Sequence, residues 1–184
     1  GSLPNRFKAR IDDADRFDPN MVCRQAVLDA WNRLSTTVWD TFVAPVAARL
    51  GQGTRDIWDR QNVNFWETAW VMGPDSGDRS DGGWLDRRKN WRTHLLPEEG
   101  GDHCTIMGDR QELSGYVRFR DRDRQDEFWS ALRVTVHDVL YPNRTSSNKA
   151  VNLLELGESE RLCAISLVKR LFPLLGDDDI RRTI

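Results

Sequence analysis

The sequence has few cysteines, no excess of one charge and no long apolar run. Its three cysteines, among 184 residues, are an odd and sparse set, which fits a reducing cytosol better than a disulfide framework. The 27 basic and 29 acidic residues nearly balance, whereas a domain that holds nucleic acid mainly through phosphates is usually basic overall. No apolar run approaches the ~20 residues needed to cross a bilayer. We therefore predict a cytoplasmic protein without a membrane partner.

An initiator methionine and a signal peptide are also missing from the start of the chain. Gly1 and Ser2 match the scar of a removed expression tag, and the body begins abruptly at Leu3. We therefore expect an internal fragment of a larger protein. Tryptophan, in contrast, is abundant, with eight residues. We expect these side chains mainly in the core, and the alternative is an apolar surface that neighbouring subunits cover.

Hydrophobic periodicity predicts an α+β fold that is predominantly helical. Alternating apolar residues predict a strand at 6–12, and the aromatic and apolar run that ends at Gly73-Pro74 predicts a second strand at 65–72. An apolar stripe between them predicts a long helix that Pro45 bends or breaks. Together they form a partial palm-like β-α-β segment over residues 3–75. The apolar stripe comprises Val27, Trp31, Leu34, Val38, Phe42, Val46 and Leu50.

The second predicted domain, residues 84–184, is helical. Apolar residues at helical spacing predict a helix over 123–141, with Asp123 as its N-cap, and a last helix that starts near Glu158. Shorter helices are predicted at 54–61 and 84–96. The apolar faces of the two longer helices are Phe128, Leu132, Val136 and Val139, then Leu162, Ile165, Val168, Phe172 and Leu175.

Two short runs in this chain look like zinc knuckles that have each lost one ligand. Residues 104–108 and 162–166 follow a Cys-x-x-Cys pattern in which Met107 and Ser166 stand at the second cysteine. Two complete pairs would supply the four thiolates of a tetrahedral zinc site. We therefore predict a degenerate, empty metal site at Cys104 and Cys163, and no cofactor. His103 is the candidate substitute ligand if zinc is bound.

A basic segment with interleaved aromatic residues offers an alternative function. Its residues could stack on and neutralise single-stranded nucleic acid. An amphipathic helix with a solvated basic face explains the same pattern, and we favour that interpretation. The nucleic-acid candidates are Arg87, Arg88, Lys89, Trp91 and Arg92.

Three runs together resemble the large subunit of type III CRISPR effector complexes, in its Cmr (type III-B) form. Residues 4–7 are similar to the family's Pro-Asn-Arg-Phe strand, and residues 104–113 to its Cys-x-x-Cys-Gly-Glu-Arg-Glu-x-Leu segment. Residues 160–170 are similar to its Glu-Arg-Leu-Cys-x-x-Cys-Leu-x-Lys-Arg segment, the most specific of the three. The order and separation of the runs also agree.

The resemblance implies a fragment that runs from the end of the first palm domain into the helical, zinc-bearing domain. Family members make cyclic oligoadenylates through a second palm domain with a Gly-Gly-Asp-Asp turn. Residues 100–102 read Gly-Gly-Asp but are not flanked by two apolar strands, so no catalytic residue is carried over. We expect a non-catalytic structural fragment that contacts other subunits of the ribonucleoprotein, and guide or target RNA only indirectly.

Overall fold

The computed structural model describes residues 8–63, 65–74, 83, 99–143 and 156–176. They belong to two compact units. Residues 8–28, 67–74 and 83 lie in the first unit, and the remaining described residues lie in the second. The units alternate along the chain. Among the described residues, no helix is both long and apolar enough to span a bilayer.

In the first unit, a polar turn leads into a helix. Asp18 accepts a hydrogen bond from the backbone N–H of Asn20 at 2.8 Å, and the π-helical turn Asn20–Arg24 follows. The Asp18 side chain therefore stabilises the turn that precedes the helix. The predicted strands are not formed in the described part of the chain, where residues 8–12 and 65–72 have no strand structure. An isolated strand pair is marginal without further strands or a packed face.

The long helix is continuous where Pro45 was predicted to bend or break it. Helix α1 (Gln25–Val38) passes through a π-helical turn (Trp39–Val43) into helix α2 (Ala44–Leu50). Proline has no N–H and its ring clashes with a carbonyl one turn earlier. The wider π turn directly before Pro45 accommodates both effects without ending the helix. The predicted stripe is largely buried, although Val27 at its start is 37% exposed.

Helix α3 (Thr54–Val63) matches the short helix predicted at 54–61. Helix α4 (Arg118–Leu140) starts before the predicted N-cap, Asp123. A residue outside the helix stabilises its first turn, because the Arg118 N–H donates to the Asp102 carboxylate at 2.7 Å. The backbone at Asp121 is not helical (φ −129°, ψ 38°), so α4 is kinked there. Its predicted apolar face is buried except for Val139.

Helix α5 (Ala164–Leu171) begins later than the predicted start at Glu158 and continues as the 3₁₀ turn Phe172–Leu174. Residues 161–162 use their carbonyl groups elsewhere. The Arg161 carbonyl accepts from the Thr105 N–H at 2.8 Å and the Leu162 carbonyl from the Leu113 N–H at 3.1 Å. These bonds fix the segment before α5 in an extended path, since a helix would use the same carbonyls internally.

The core of the second unit is formed by residues of α1 to α5 and of the segment 102–113. Within that segment the chain folds back on itself, with an antiparallel bridge between His103 and Gln111. Of the six tryptophans that the structure describes, four are buried, whereas Trp66 and Trp70 are 45% and 41% exposed. The buried hydrophobic residues are Trp31, Val38, Trp39, Phe42, Val43, Val46, Ile57, Trp58, Cys104, Leu113, Phe128, Trp129, Leu132, Val136, Leu156, Leu162, Cys163, Ala164, Ile165, Leu167, Val168, Leu171 and Leu175.

Candidate metal centre

The two degenerate knuckles meet at the N-terminus of α5. Ser166 Oγ lies 3.6 Å from Cys104 Sγ and 3.4 Å from Cys163 Sγ. Cys163 Sγ lies 3.7 Å from Met107 Sδ. The four positions at which a Cys-x-x-Cys pair of knuckles would carry its ligands are therefore in mutual contact. We call these four residues the sulfur cluster.

Backbone hydrogen bonds hold the two halves of the sulfur cluster together. The Cys104 N–H donates to the Arg110 carbonyl at 2.8 Å, which closes the first knuckle. The N–H of Met107 turns inward and donates to Cys104 Sγ at 3.3 Å. The first knuckle joins the second through the Thr105 N–H, which donates to the Arg161 carbonyl. Main-chain hydrogen bonds therefore position the Cys104 sulfur and join the two knuckles.

Gln61 of α3 braces this junction from the other side. Its side chain is 1% exposed, and its Oε1 accepts from the Ala164 N–H, at the start of α5, at 2.8 Å. Its Nε2 donates to Glu99 at 2.7 Å and to the Gln111 carbonyl at 2.8 Å. The Gln61 side-chain amide thus links α3, the first knuckle and the first turn of α5. The N–H groups in the first turn of a helix have no partner within that helix, so the bond from Gln61 satisfies one of them.

The two cysteines share their protons unequally. The hydrogen bond from Cys163 holds the pKa of Cys104 well below its usual value, and backbone N–H groups, including that of Met107, act in the same direction against the effect of burial. The pKa of Cys163 is raised, because its thiol donates to Cys104 and because it is buried. The hydrogen bond between the two cysteines therefore shifts their pKa values in opposite directions.

The donor atoms of the sulfur cluster do not match a zinc site. Zinc in structural sites takes four thiolate or imidazole ligands, whereas here two thiols meet one thioether and one neutral hydroxyl. His103 does not complete the set: it is exposed, while its neighbour Cys104 is 3% exposed. Within the described ranges, no three His, Cys, Asp or Glu residues are grouped to hold a metal ion.

Asp102, the acid of the Gly-Gly-Asp run, has a structural role. Its carboxylate accepts from the Arg118 N–H and from Gln125 Nε2, each at 2.7 Å. Its carbonyl accepts from the Glu112 N–H at 2.8 Å. These bonds tie the first knuckle to the start of α4. The predicted nucleic-acid candidates Arg87, Arg88, Lys89, Trp91 and Arg92 lie outside the described residues.

A buried carboxylate beside the knuckle was missed by the sequence analysis. Glu112 is 0% exposed and accepts from the Ser114 N–H at 2.9 Å and from Trp129 Nε1 at 2.6 Å. The Ser114 hydroxyl and Gln125 Nε2 also contact it. Burial raises the pKa of Glu112, although these donors offset part of the shift. We call Glu112, Ser114, Gln125 and Trp129 the Glu112 cluster.

Asp126 on α4 forms a second polar link to the chain before α5. Arg161 Nη2 lies 2.5 Å and Arg118 Nη1 3.2 Å from its carboxylate. Partial burial opposes ionisation of this carboxyl, but the hydrogen bond and charge of Arg161, with Arg118, bring its pKa below the ordinary value. Arg161 is a residue of the third family-like run, and its pairing with Asp126 gave no sequence signal.

Comparison of the chain with protein-family models, with curated proteins and with solved structures gives no match.

Proposed function

We propose that this chain is a non-catalytic structural region of the large subunit of a type III-B CRISPR effector complex. Three runs of sequence support the proposal, at residues 4–7, 104–113 and 160–170. In the parent protein, a palm domain outside this chain would make cyclic oligoadenylates from ATP. We place the parent in the cytoplasm, with other subunits of the ribonucleoprotein as its partners and guide or target RNA nearby.

One observation carries the proposal: the two runs with the strongest likeness meet in space at their cysteines. Cys104 and Cys163 belong to different segments, yet both sulfurs contact the Ser166 hydroxyl. A chance likeness between two short runs gives no reason for that contact. Descent from a four-cysteine zinc site does, because the scaffold of such a site brings both knuckles to one metal.

The role we assign is architectural. The knuckle junction joins α3, α4 and α5 through main-chain and side-chain bonds, and the apolar core surrounds it on the α5 side. Loss of zinc is tolerable for such a region only if packing replaces what the metal contributed, which for structural zinc is roughly 10 kcal/mol or more. Residues 6–12 and 65–72 would become strands of the first palm domain when the other strands of its sheet are present.

Purification of the full-length parent from its native host tests this function. An affinity-tagged parent should copurify with several other proteins and with short RNAs that share one 5′ segment. A parent that carries Leu162→Ala should recover less of this assembly, while Glu127→Gln, on the exposed side of α4, should recover it fully. A parent that purifies alone and free of RNA contradicts the proposal. The isolated chain is expected to form no oligoadenylate from ATP and Mg²⁺.

A further inference from the structure

Replacement of one cysteine by methionine changes the metal preference of the knuckle rather than only removing a ligand. The sulfur cluster keeps three sulfur donors, on Cys104, Met107 and Cys163, and its fourth member, Ser166, offers only a neutral oxygen. Thiolate and thioether sulfurs are soft ligands that select Cu(I), whereas zinc sites are built from thiolate, imidazole and carboxylate. The donor set that fails for zinc is therefore suited to a softer cation.

The sulfurs of the cluster lie close to one another. Cys163 Sγ lies 3.7 Å from Met107 Sδ, and Ser166 Oγ lies 3.4 Å from Cys163 Sγ and 3.6 Å from Cys104 Sγ. Two sulfurs that share one metal at about 2.3 Å lie roughly 3.8–4.0 Å apart. The separation of Cys163 Sγ and Met107 Sδ is already close to that value, so ligation by this pair requires little movement of the backbone.

The surroundings protect such a site while leaving a way in. Cys104 and Cys163 are 3% and 0% exposed, which keeps a bound soft cation away from water. Met107 is only partly buried, and its neighbour Ile106 is 53% exposed. The first knuckle therefore covers the cysteines from the surface side, with the thioether at the boundary between solvent and the buried sulfurs.

We propose that Cys104, Met107 and Cys163 form a binding site for the soft monovalent cation Cu(I). On binding, each thiol that becomes a ligand releases its proton to solvent, and Met107 donates a neutral sulfur lone pair. Ser166 stays outside the ligand set. The site does not depend on the functional proposal above, because its support is the chemistry and contact of the donors.

Anaerobic competition between the purified chain and bicinchoninate for Cu(I) tests the proposal. The wild-type chain should withdraw one Cu(I) per molecule from the chelator, and Cu(I) should raise its melting temperature because it binds the folded state. Met107→Leu, which conserves volume and so keeps the fold, should bind Cu(I) at least roughly tenfold more weakly. Zn(II) in excess should not displace the bound Cu(I).

Matched controls separate this site from other sulfurs of the chain. Cys23→Ser removes the third cysteine, and Met21→Leu removes a methionine that is 68% exposed. Both should bind Cu(I) like the wild type, whereas Cys163→Ser should lose most of the affinity. The proposal is overturned if the wild type leaves Cu(I) on the chelator, or if Met107→Leu binds as tightly as the wild type.

Discussion

The sulfur cluster and the Glu112 cluster both contain residues of the chain segment 104–114, yet they stabilise it through different physics. Contacts in the sulfur cluster run from 3.3 to 3.7 Å and involve weak sulfur donors and acceptors. In the Glu112 cluster, N–H groups reach a carboxylate at 2.6–2.9 Å, and such charge-assisted bonds are the stronger kind. The first cluster therefore tolerates exchange of its members, while the second leaves unsatisfied donors when its acceptor changes.

The largest expected effect is a gain, from placing a cysteine at all four positions of the sulfur cluster. In Met107→Cys/Ser166→Cys, four thiols would occupy positions that now lie 3.4–3.7 Å apart. A tetrahedral Zn–S₄ site needs about 3.8 Å between sulfurs. We expect one tightly bound Zn(II) and a stabilisation of roughly 4 kcal/mol at a thousandfold excess over the dissociation constant, measured by metal analysis and thermal melting. Absence of zinc binding would mean that the four positions do not descend from one site.

Removing packing beneath the sulfur cluster should have the next largest effect. Leu162 is fully buried, and Leu162→Ala should lower the free energy of unfolding by roughly 2–5 kcal/mol. Phe172, which is only partly buried, should cost less when changed to alanine. Urea denaturation of the three proteins checks the order. Equal midpoints for wild type and Leu162→Ala would refute the idea that packing replaces zinc as the stabilising element.

An isosteric change in the Glu112 cluster should also be destabilising. Glu112→Gln replaces one accepting oxygen by an amide that donates, so one of the facing N–H groups, such as Trp129 Nε1, loses its partner. We expect a loss of roughly 1–3 kcal/mol in the free energy of unfolding. The control is Glu127→Gln, the same chemical change at an exposed position of α4. The two variants should differ clearly in denaturant midpoint, and identical midpoints would contradict the assignment.

The same residue should make stability depend on pH. Because burial raises the folded-state pKa of Glu112, its contribution is fully present below the unfolded pKa of about 4.3 and is lost as pH rises through the folded value. Lowering the pH from 7 to 5 should therefore widen the difference in melting temperature between the wild type and Glu112→Gln. A difference that narrows over this range would mean that the four donors outweigh burial.

The smallest effect is expected in the sulfur cluster without metal. Met107→Leu keeps the side-chain volume and removes only a weak sulfur contact with Cys163 at 3.7 Å, so stability should change by less than about 1.5 kcal/mol. Denaturant melts in the presence of a chelator measure it. A larger loss would show that the sulfur contacts themselves stabilise the fold, which would remove the contrast with the Glu112 cluster.

Local patterns predicted the helices better than their ends. The apolar faces of α1 and α4 were recognisable because burial of one stripe requires residues at helical spacing. The starts of α4 and α5 were misplaced, since both depend on partners distant in sequence: Asp102 for Arg118, and Thr105 for Arg161. The strand prediction at 65–72 relied on local residue types alone, and these do not supply the neighbouring strand that a sheet requires.

The candidate site was predicted in part. Cys104 and Cys163 were paired from their knuckle-like spacing, and Met107 and Ser166 were recognised as replaced ligands. The burial of Glu112 was not predicted, because nothing in a polar run of sequence indicates that a glutamate side chain is buried. Only the fold places Trp129, Ser114 and Gln125 around it.

The sequence by itself determined which residues are helical, which faces are apolar and which side chains carry soft donors, because these properties follow from local spacing and from the atoms of each side chain. Tertiary structure alone decided that the two knuckles touch, that the pKa values of the two cysteines shift in opposite directions, and that Glu112 is buried. Those outcomes depend on desolvation and on hydrogen bonds between segments far apart in the chain. Such contacts exist only once the core has formed.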